Sequence, residues 1–169
     1  GMNDLLLSSR LDASQRELAE TVRDSGQALS QVINDILDFS KIEAARMELE
    51  QRPFDLIDCV RSVVRLLQVQ ATSKNIELKA DYFQQTPLWV TGDGGRLRQI
   101  VLNLLGNALK FTEEGFVEVR VLQPQHNMYV IEVSDTGPGI SLDAQSRLFD
   151  PFEQLEDRSR AGTGLGLAI

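Results

Sequence analysis

The sequence predicts an α+β chain: a long helical hairpin, then a region that mixes helices with strands. Three observations predict it. Between Asp12 and Gln51, apolar residues recur in alternating steps of four and three. Two further helical stripes follow, from Leu56 to Ala71 and from Leu97 to Phe111. Around them, residues 76–82 and 117–121 alternate apolar with polar, as half-buried strands do, and Tyr129, Ile131 and Val133 make a returning strand. A chain of 169 residues suffices for one or two small domains with a real core.

Leu5 to Leu7 is a short apolar stub, read as the tail of one helix, with Leu11 and Asp12 in the connection to the next. The long helix over 12–51 carries Leu18, Val22, Ser25, Leu29, Val32, Ile36 and Phe39 as a heptad seam. Asp12 with Gln15, or Ser14 with Glu17, supplies a capping signal at its start. Pro53, which has no N–H to donate, is expected to close its far end. A helix of about forty residues rises about 60 Å, too long to bury its seam against one small domain. The seam therefore predicts a helical-hairpin homodimer, a four-helix bundle; one arm of an intramolecular coiled coil is the alternative.

Beyond Pro53, Ile57, Val60, Val64, Leu67 and Ala71 define a helix, and Ile76, Leu78, Ala80 and Tyr82 a strand. Leu88 to Val90 reads as a short strand. Asp93 caps a helix running to about Phe111, whose buried stripe is expected to be Leu97, Val101, Leu104, Ala108 and Phe111. Val117, Val119 and Val121 pair with Tyr129, Ile131 and Val133 through a turn over Gln123 to Asn127 that contains Pro124. Ser141 caps a short helix over Leu142 to Leu148, and Glu153 to Arg160 is polar and unpatterned, a loop.

Composition limits the function. The 17 basic and 25 acidic residues give a formal net charge of −8, which argues against a nucleic-acid partner. An acidic protein that holds a triphosphate needs magnesium and local donors to offset repulsion. The single cysteine, Cys59, excludes an intrachain disulfide, fits a reducing compartment and reads as a small core residue. No run approaches the roughly 18 apolar residues of a membrane span, and no signal peptide is evident. Gly1 ahead of Met2 reads as an expression remnant.

Four segments carry chemistry. On the helix after Asp93, Arg96, Asn103, Asn107 and Lys110 share one face, and the two asparagines stand one turn apart. Carboxamide oxygens suit Mg2+, which takes the rest of its shell from water and phosphate; Lys110 adds a point charge for phosphate oxygens. A solvated polar face is the structural alternative. Asp135 continues the face of Ile131 and Val133, so its carboxylate is expected to point inward, where the exocyclic amine of adenine would satisfy it. Gly137 and Gly139 let the backbone turn and approach a flat ring, although Asp-Thr-Gly-Pro-Gly is also plain turn chemistry. Phe149, Pro151 and Phe152 anchor one end of the following loop or pack into the core. Gly162-Thr163-Gly164-Leu165-Gly166 precedes what reads as a first helical turn, and would offer N–H groups and a positive dipole end to phosphate. That last pattern lacks the Gly-Lys-Ser/Thr ending of the common P-loop and the preceding strand of a dinucleotide fold.

In this order and spacing, the asparagine segment, Asp-x-Gly-x-Gly, Phe-x-Pro-Phe and Gly-x-Gly-x-Gly resemble the ATP-binding domain of sensor histidine kinases over Asp93 to Ile169. Ile33-Asn-Asp-Ile-Leu-Asp-Phe-Ser-Lys-Ile-Glu43 is similar to the second helix of that family's dimerisation and phosphotransfer domain, in the style of hybrid kinases. The resemblance implies a two-layer α/β sandwich of the gyrase, chaperone and histidine-kinase type over 53–169, with residues 1–52 as part of the dimerisation domain. It implies ATP and Mg2+ as cofactors. Asn107 would be the metal ligand with Asn103 beside it, Lys110 would touch phosphate, and Asp135, Gly137 and Gly139 would hold adenine. Gly162, Thr163, Gly164, Leu165 and Gly166 would meet the phosphates, beneath a lid over residues 150–161. It implies a receiver domain as partner, in cis or in trans, and a cytoplasmic domain whose parent is anchored in the inner membrane through other segments.

The departures from the family pattern also matter. The family's His-Glu-x-x-x-Pro-like acceptor segment has no counterpart here, and His126, the one histidine, sits in a turn-like stretch and reads as a surface residue. The chain ends where a final helix would begin, so two further strands of the sheet are expected outside it. Gln154 stands where many relatives carry arginine; Arg158 or Arg160 could serve the γ-phosphate. Three functions compete. They are the ATP-binding part of a histidine kinase, a non-catalytic kinase-like module that regulates another kinase through its seam, and a hydrolytic ATPase of the same fold. Hydrolytic relatives place a glutamate at the position of Asn103, and asparagine cannot serve as a base at neutral pH.

Overall fold

The computed structural model describes residues 2–84, 87–151 and 167. They divide into two units, one ending at Met47 and one beginning at Glu48.

The first unit is two helices, α1 (Met2–Ser8) and α2 (Ala13–Glu43). Asp12 caps α2 with a full capping box: its side chain accepts the Gln15 N–H at 2.8 Å, and the Gln15 side chain accepts the Asp12 N–H at 3.1 Å. Ala19 is buried and its carbonyl receives the Asn3 side-chain amide at 2.8 Å, which fixes α1 on α2. The seam itself is open. Leu18 is 65% exposed, Leu29 61% and Ile36 45%, so among the described residues most of the apolar stripe is left open.

The expected helix over 12–51 is too long. α2 stops at Glu43, and Pro53 lies in a strand instead. The terminator is a Schellman motif: Arg46 N–H donates to the Lys41 carbonyl at 2.8 Å and Ala45 N–H to that of Ile42 at 2.9 Å. Ala45 takes the left-handed conformation the motif requires, φ +51°, a place where glycine is the usual occupant. An alanine there carries no turn signal in the sequence.

The second unit opens with β1 (Arg52–Asp55), which sequence patterning missed because four residues containing a proline show no alternation. It pairs antiparallel with β3 (Trp89–Gly92), Phe54 facing Val90. Between them come α3 (Leu56–Ser73) and β2 (Glu77–Tyr82). Asp55 joins these pieces: its Oδ1 accepts N–H groups of Ile57 and Leu88, both at 3.0 Å. α3 ends in a second Schellman motif, with Asn75 at φ +58° and Ile76 N–H donating to the Ala71 carbonyl at 2.9 Å.

α4 (Gly94–Phe111) follows, then β4 (Phe116–Gln125) and β5 (Met128–Asp135). The main sheet has the order β2-β4-β5. β2 runs parallel to β4, with Ala80 opposite Val119, and β4 antiparallel to β5, with Val119 opposite Val133. A parallel pair needs a crossover, and α4 lies within it. The register aims Val117, Val119 and Val121 at the helices, and all three are 0% exposed. Against them pack Val60, Val63, Leu67, Val101, Leu105 and Leu109. This is a two-layer α/β arrangement with helices on one face of the sheet.

Three expectations need adjustment. The buried stripe of α4 is Val101, Leu105, Ala108 and Leu109; Leu104 is half-buried and Phe111 is 38% exposed. The helix packs on α3 as well as on the sheet, which rotates the covered stripe toward Leu105 and Leu109. β4 runs on through Pro124, where the register shifts between Leu122 and Gln125, and the turn is His126 and Asn127 alone. A proline is tolerated at such an irregularity, and Asn127 accepts φ +61°. The short helix α5 spans Leu142–Gln145, capped by Ser141, and does not reach Leu148. Leu148 N–H donates to the carbonyl of Gln145 and Asp150 N–H to that of Arg147, bonds of three-residue reach that form turns rather than helix. Cys59 is buried, as expected of a core residue; burial raises its thiol pKa and keeps it protonated.

Candidate functional site

The site is built on the last two turns of α4 and the turn that follows β5. The helix is held at both ends. Asp93 Oδ1 accepts the Arg96 N–H at 2.9 Å, and its Oδ2 accepts the Glu50 N–H at 3.2 Å. These two backbone donors, in that order, hold the Asp93 carboxyl below the usual carboxylate range. At the far end Lys74 Nζ donates to the Leu109 carbonyl at 2.7 Å, a cation at a helix C-terminus. Val101, Leu105, Ala108 and Leu109 face the core, so Asn103, Asn107 and Lys110 occupy another face, half-buried. Lys110 Nζ lies 5.0 Å from the ring centre of Phe111.

β5 delivers Asp135 beside this helix end. Register places Asp135 opposite Val117, on the core side of the sheet. The inward carboxylate expected from the sequence is nevertheless exposed. Asp135 is the last rung of the ladder, where the hydrophobic layer ends, and the chain turns at once. Gly137 N–H donates to Asp135 Oδ1 at 2.8 Å, an Asx turn that leaves Oδ2 available. A Cβ on Gly137 would stand 2.8 Å from that same oxygen, 3.4 Å from the Phe111 carbonyl and 3.5 Å from Thr112 Oγ1. The glycine thus lets the Asp135 turn seat directly against the end of α4. Gly139, at φ +73°, serves the turn itself.

Sequence reasoning missed three contributors. Thr112 is 1% exposed and its hydroxyl has no hydrogen-bond partner among the described residues, an orphan at the edge of the Asp135 turn. Thr136 bonds through its hydroxyl to the segment after α4. Lys74 caps the helix from thirty-five residues away. Thr136 lies within the Asp-Thr-Gly-Pro-Gly turn and Thr112 just after α4, but only tertiary contact distinguishes them from neighbouring polar residues.

Other expectations fall differently. Phe149 is 68% exposed and lies outside the core, in the consecutive turns after α5; the loop it was expected to anchor lies outside the described residues. Phe152, Gln154, Arg158, Arg160 and Gly162 to Gly166, with nearly all of the lid segment, lie outside the described residues. His126 is exposed on the β4–β5 turn. Among the described residues no three His, Cys, Asp or Glu side chains form a metal-binding group, and no helix is long and apolar enough to cross a membrane.

Comparison with known proteins supports the fold. Residues 92–169 match the family described as histidine kinase-, DNA gyrase B- and HSP90-like ATPase, and residues 1–45 the His Kinase A (phospho-acceptor) domain. The signal transduction histidine-protein kinase BarA of Escherichia coli K12 is 42% identical over all of this chain, which covers 19% of BarA. The crystal structure of full-length ShkA in complex with AMPPNP superposes with a TM-score of 0.79 at 39% identity, over 99% of this chain and 35% of ShkA. The mycobacterial sensor histidine kinase MprB gives a TM-score of 0.58 at 31% identity, over 70% of this chain and 74% of that one. A phospho-acceptor-type helical segment followed by a two-layer α/β ATPase-type sheet is a histidine-kinase module. The chain belongs to the sensor histidine kinase family. It spans a quarter or less of the curated relatives it matches.

Proposed function

We propose that this chain binds ATP between the end of α4 and the Asp135 turn, as the nucleotide-handling part of a longer histidine kinase. The observation that carries the reading is the seating of Gly137 against Phe111 and Thr112, which sets the Asp135 carboxylate beside the helix bearing Asn103, Asn107 and Lys110. The free oxygen of Asp135 would accept the adenine amine, with Gly137 and Gly139 admitting the ring. Lys110 would face phosphate oxygens, and Gly162, Thr163, Gly164, Leu165 and Gly166 would add backbone donors.

The donor set fits magnesium. Asn107, with Asn103 beside it, offers neutral carboxamide oxygens, and such a pair holds a hard cation only when phosphate oxygens and water complete its shell. Bound there, Mg2+ would supply charge neutralisation on the triphosphate. The residues themselves orient the nucleotide. None of Asn103, Asn107 and Lys110 can act as a carboxylate base toward water, which favours phosphoryl transfer to a side chain over hydrolysis.

In this reading residues 1–52 belong to the dimerisation and phosphotransfer domain and 53–169 to the ATP-binding domain, although Glu48 to Gln51 already pack with the second unit. The exposed seam of α2 supports a homodimer. The acceptor is a histidine of the longer protein rather than His126, and the phosphoryl group passes on to a receiver aspartate, in cis or in trans. Membrane anchoring would come from other segments of that protein.

Calorimetric titration of the 169-residue chain with Mg·ATP tests the site. Asp135→Asn places an amide donor against the adenine amine. It should weaken ATP at least tenfold, about 1.4 kcal/mol, with the fold unchanged by circular dichroism. Equal ATP binding by the wild type and D135N would remove Asp135 from the pocket and refute the reading.

A further inference from the structure

Thr136 lies inside a glycine-rich turn where any small polar residue would satisfy the local backbone, yet its hydroxyl is committed elsewhere. It accepts the Phe116 N–H at 3.0 Å and lies 3.0 Å from the Glu114 carbonyl, its nearer acceptor, with the Phe116 carbonyl at 3.3 Å. Its own N–H donates to the Phe116 carbonyl at 3.1 Å. One residue thus closes the β5 side of Phe116 at the start of β4, whose other side pairs with Glu77 of β2.

Gly115 is the other half of the device. It stands at φ +103°, and a Cβ there would collide with Thr136 Oγ1. Its carbonyl receives the Glu77 N–H at 3.0 Å, so the segment is also tied to β2. The Thr136 hydroxyl occupies the space that a side chain at 115 would take. The two residues are twenty-one apart in sequence and specify each other.

The consequence lies in what they join. Glu114 to Phe116 follows directly from the end of α4, which carries Asn107 and Lys110. Thr136 sits between Asp135 and Gly137. We propose that Thr136 is a positioning residue for nucleotide recognition: interlocked with Gly115, its hydroxyl fixes the Asp135 carboxylate relative to α4. The inference rests on the ATP reading above and extends it to a group that touches no ligand. A hydroxyl bonded once as donor and once as acceptor pins the turn in two directions; a methyl group at the same place pins it in neither.

The test compares Mg·ATP with Mg·ITP on the full 169-residue chain. Inosine triphosphate carries a carbonyl in place of the 6-amino group, so it reports the same phosphate contacts without the Asp135 contact. Thr136→Val keeps the shape and removes both hydrogen bonds. It should lower ATP affinity about tenfold and leave ITP affinity within about twofold, collapsing the discrimination between the two. Thr136→Ser, which keeps the hydroxyl, should restore it. Thr136→Ala gives the same comparison without the added methyl if the valine variant folds poorly. If T136V or T136A binds ATP and ITP in the wild-type ratio, whatever its melting temperature, Thr136 is structural only and the proposal fails. If wild-type chain does not distinguish ATP from ITP, or D135N does not alter that ratio, the adenine reading itself fails and takes the positioning role with it.

Discussion

The end of α2 offers a test whose sign separates two accounts of the chain. Ala45 occupies the left-handed position of a Schellman motif at φ +51°. An L-residue with a Cβ is disfavoured there by roughly 1–2 kcal/mol. Glycine removes that penalty but has more backbone freedom to lose on folding, roughly 0.5–1 kcal/mol. Ala45→Gly should therefore stabilise the first unit by about 0.5–1 kcal/mol. Had the helix continued toward Pro53, as periodicity and propensity suggest, the same change would place glycine in a helix interior and cost about 1 kcal/mol. The accounts differ in direction as well as size. Urea unfolding followed by helical ellipticity gives the net effect. Hydrogen exchange at Ala45 and Arg46, whose amides donate to Ile42 and Lys41, localises it. A45G should slow exchange at both amides. A loss of about 1 kcal/mol with faster exchange through residues 41–46 would show that the helix runs on and that the motif is wrong.

Further outcomes follow from the core and from Asp93. Leu105 is 0% exposed between α3, α4 and the sheet, so Leu105→Ala should cost about 2–5 kcal/mol in urea unfolding of the second unit. A loss below about 1 kcal/mol would contradict its place in the core. Asp93 has its folded pKa lowered by the Arg96 and Glu50 amides, so its charged form adds stability above the unfolded value of about 3.9. That contribution disappears as pH falls through the lower folded value. Asp93→Asn keeps a helix cap but not the charge, so the wild type should be the more stable at pH 7 and the gap should close as pH falls through the lowered folded value. A gap that stays constant with pH would show the carboxylate is not engaged.

How much was legible depended on how local each cause was. α3, α4 and the strands carrying Val117 to Val121 and Tyr129 to Val133 announce themselves by period. The Asp93 cap lies three residues from its donor, so the start of α4 could be placed to the residue. The candidate site was legible as residue types in order: a carboxamide pair one turn apart, a carboxylate ending a strand and glycines around it. Its assembly was not, because the contact of Gly137 with Phe111 and Thr112 joins segments twenty-five residues apart. The exposure of Asp135 shows the same limit. Alternation assigns its face correctly, but only the extent of the hydrophobic layer decides whether that face is covered at the last rung.

From the sequence alone came the helical seam, the alternation of helix and strand and the residue types of the candidate site's separate segments, since each is a property of near neighbours along the chain. The tertiary structure decided where α2 ends, that Arg52–Asp55 joins a strand, that β2 runs parallel to β4, and that Gly115 and Thr136 interlock. The physical reason is common to them: each depends on hydrogen bonds or steric exclusion set by the folded backbone, and neither leaves a periodic trace in the order of residues.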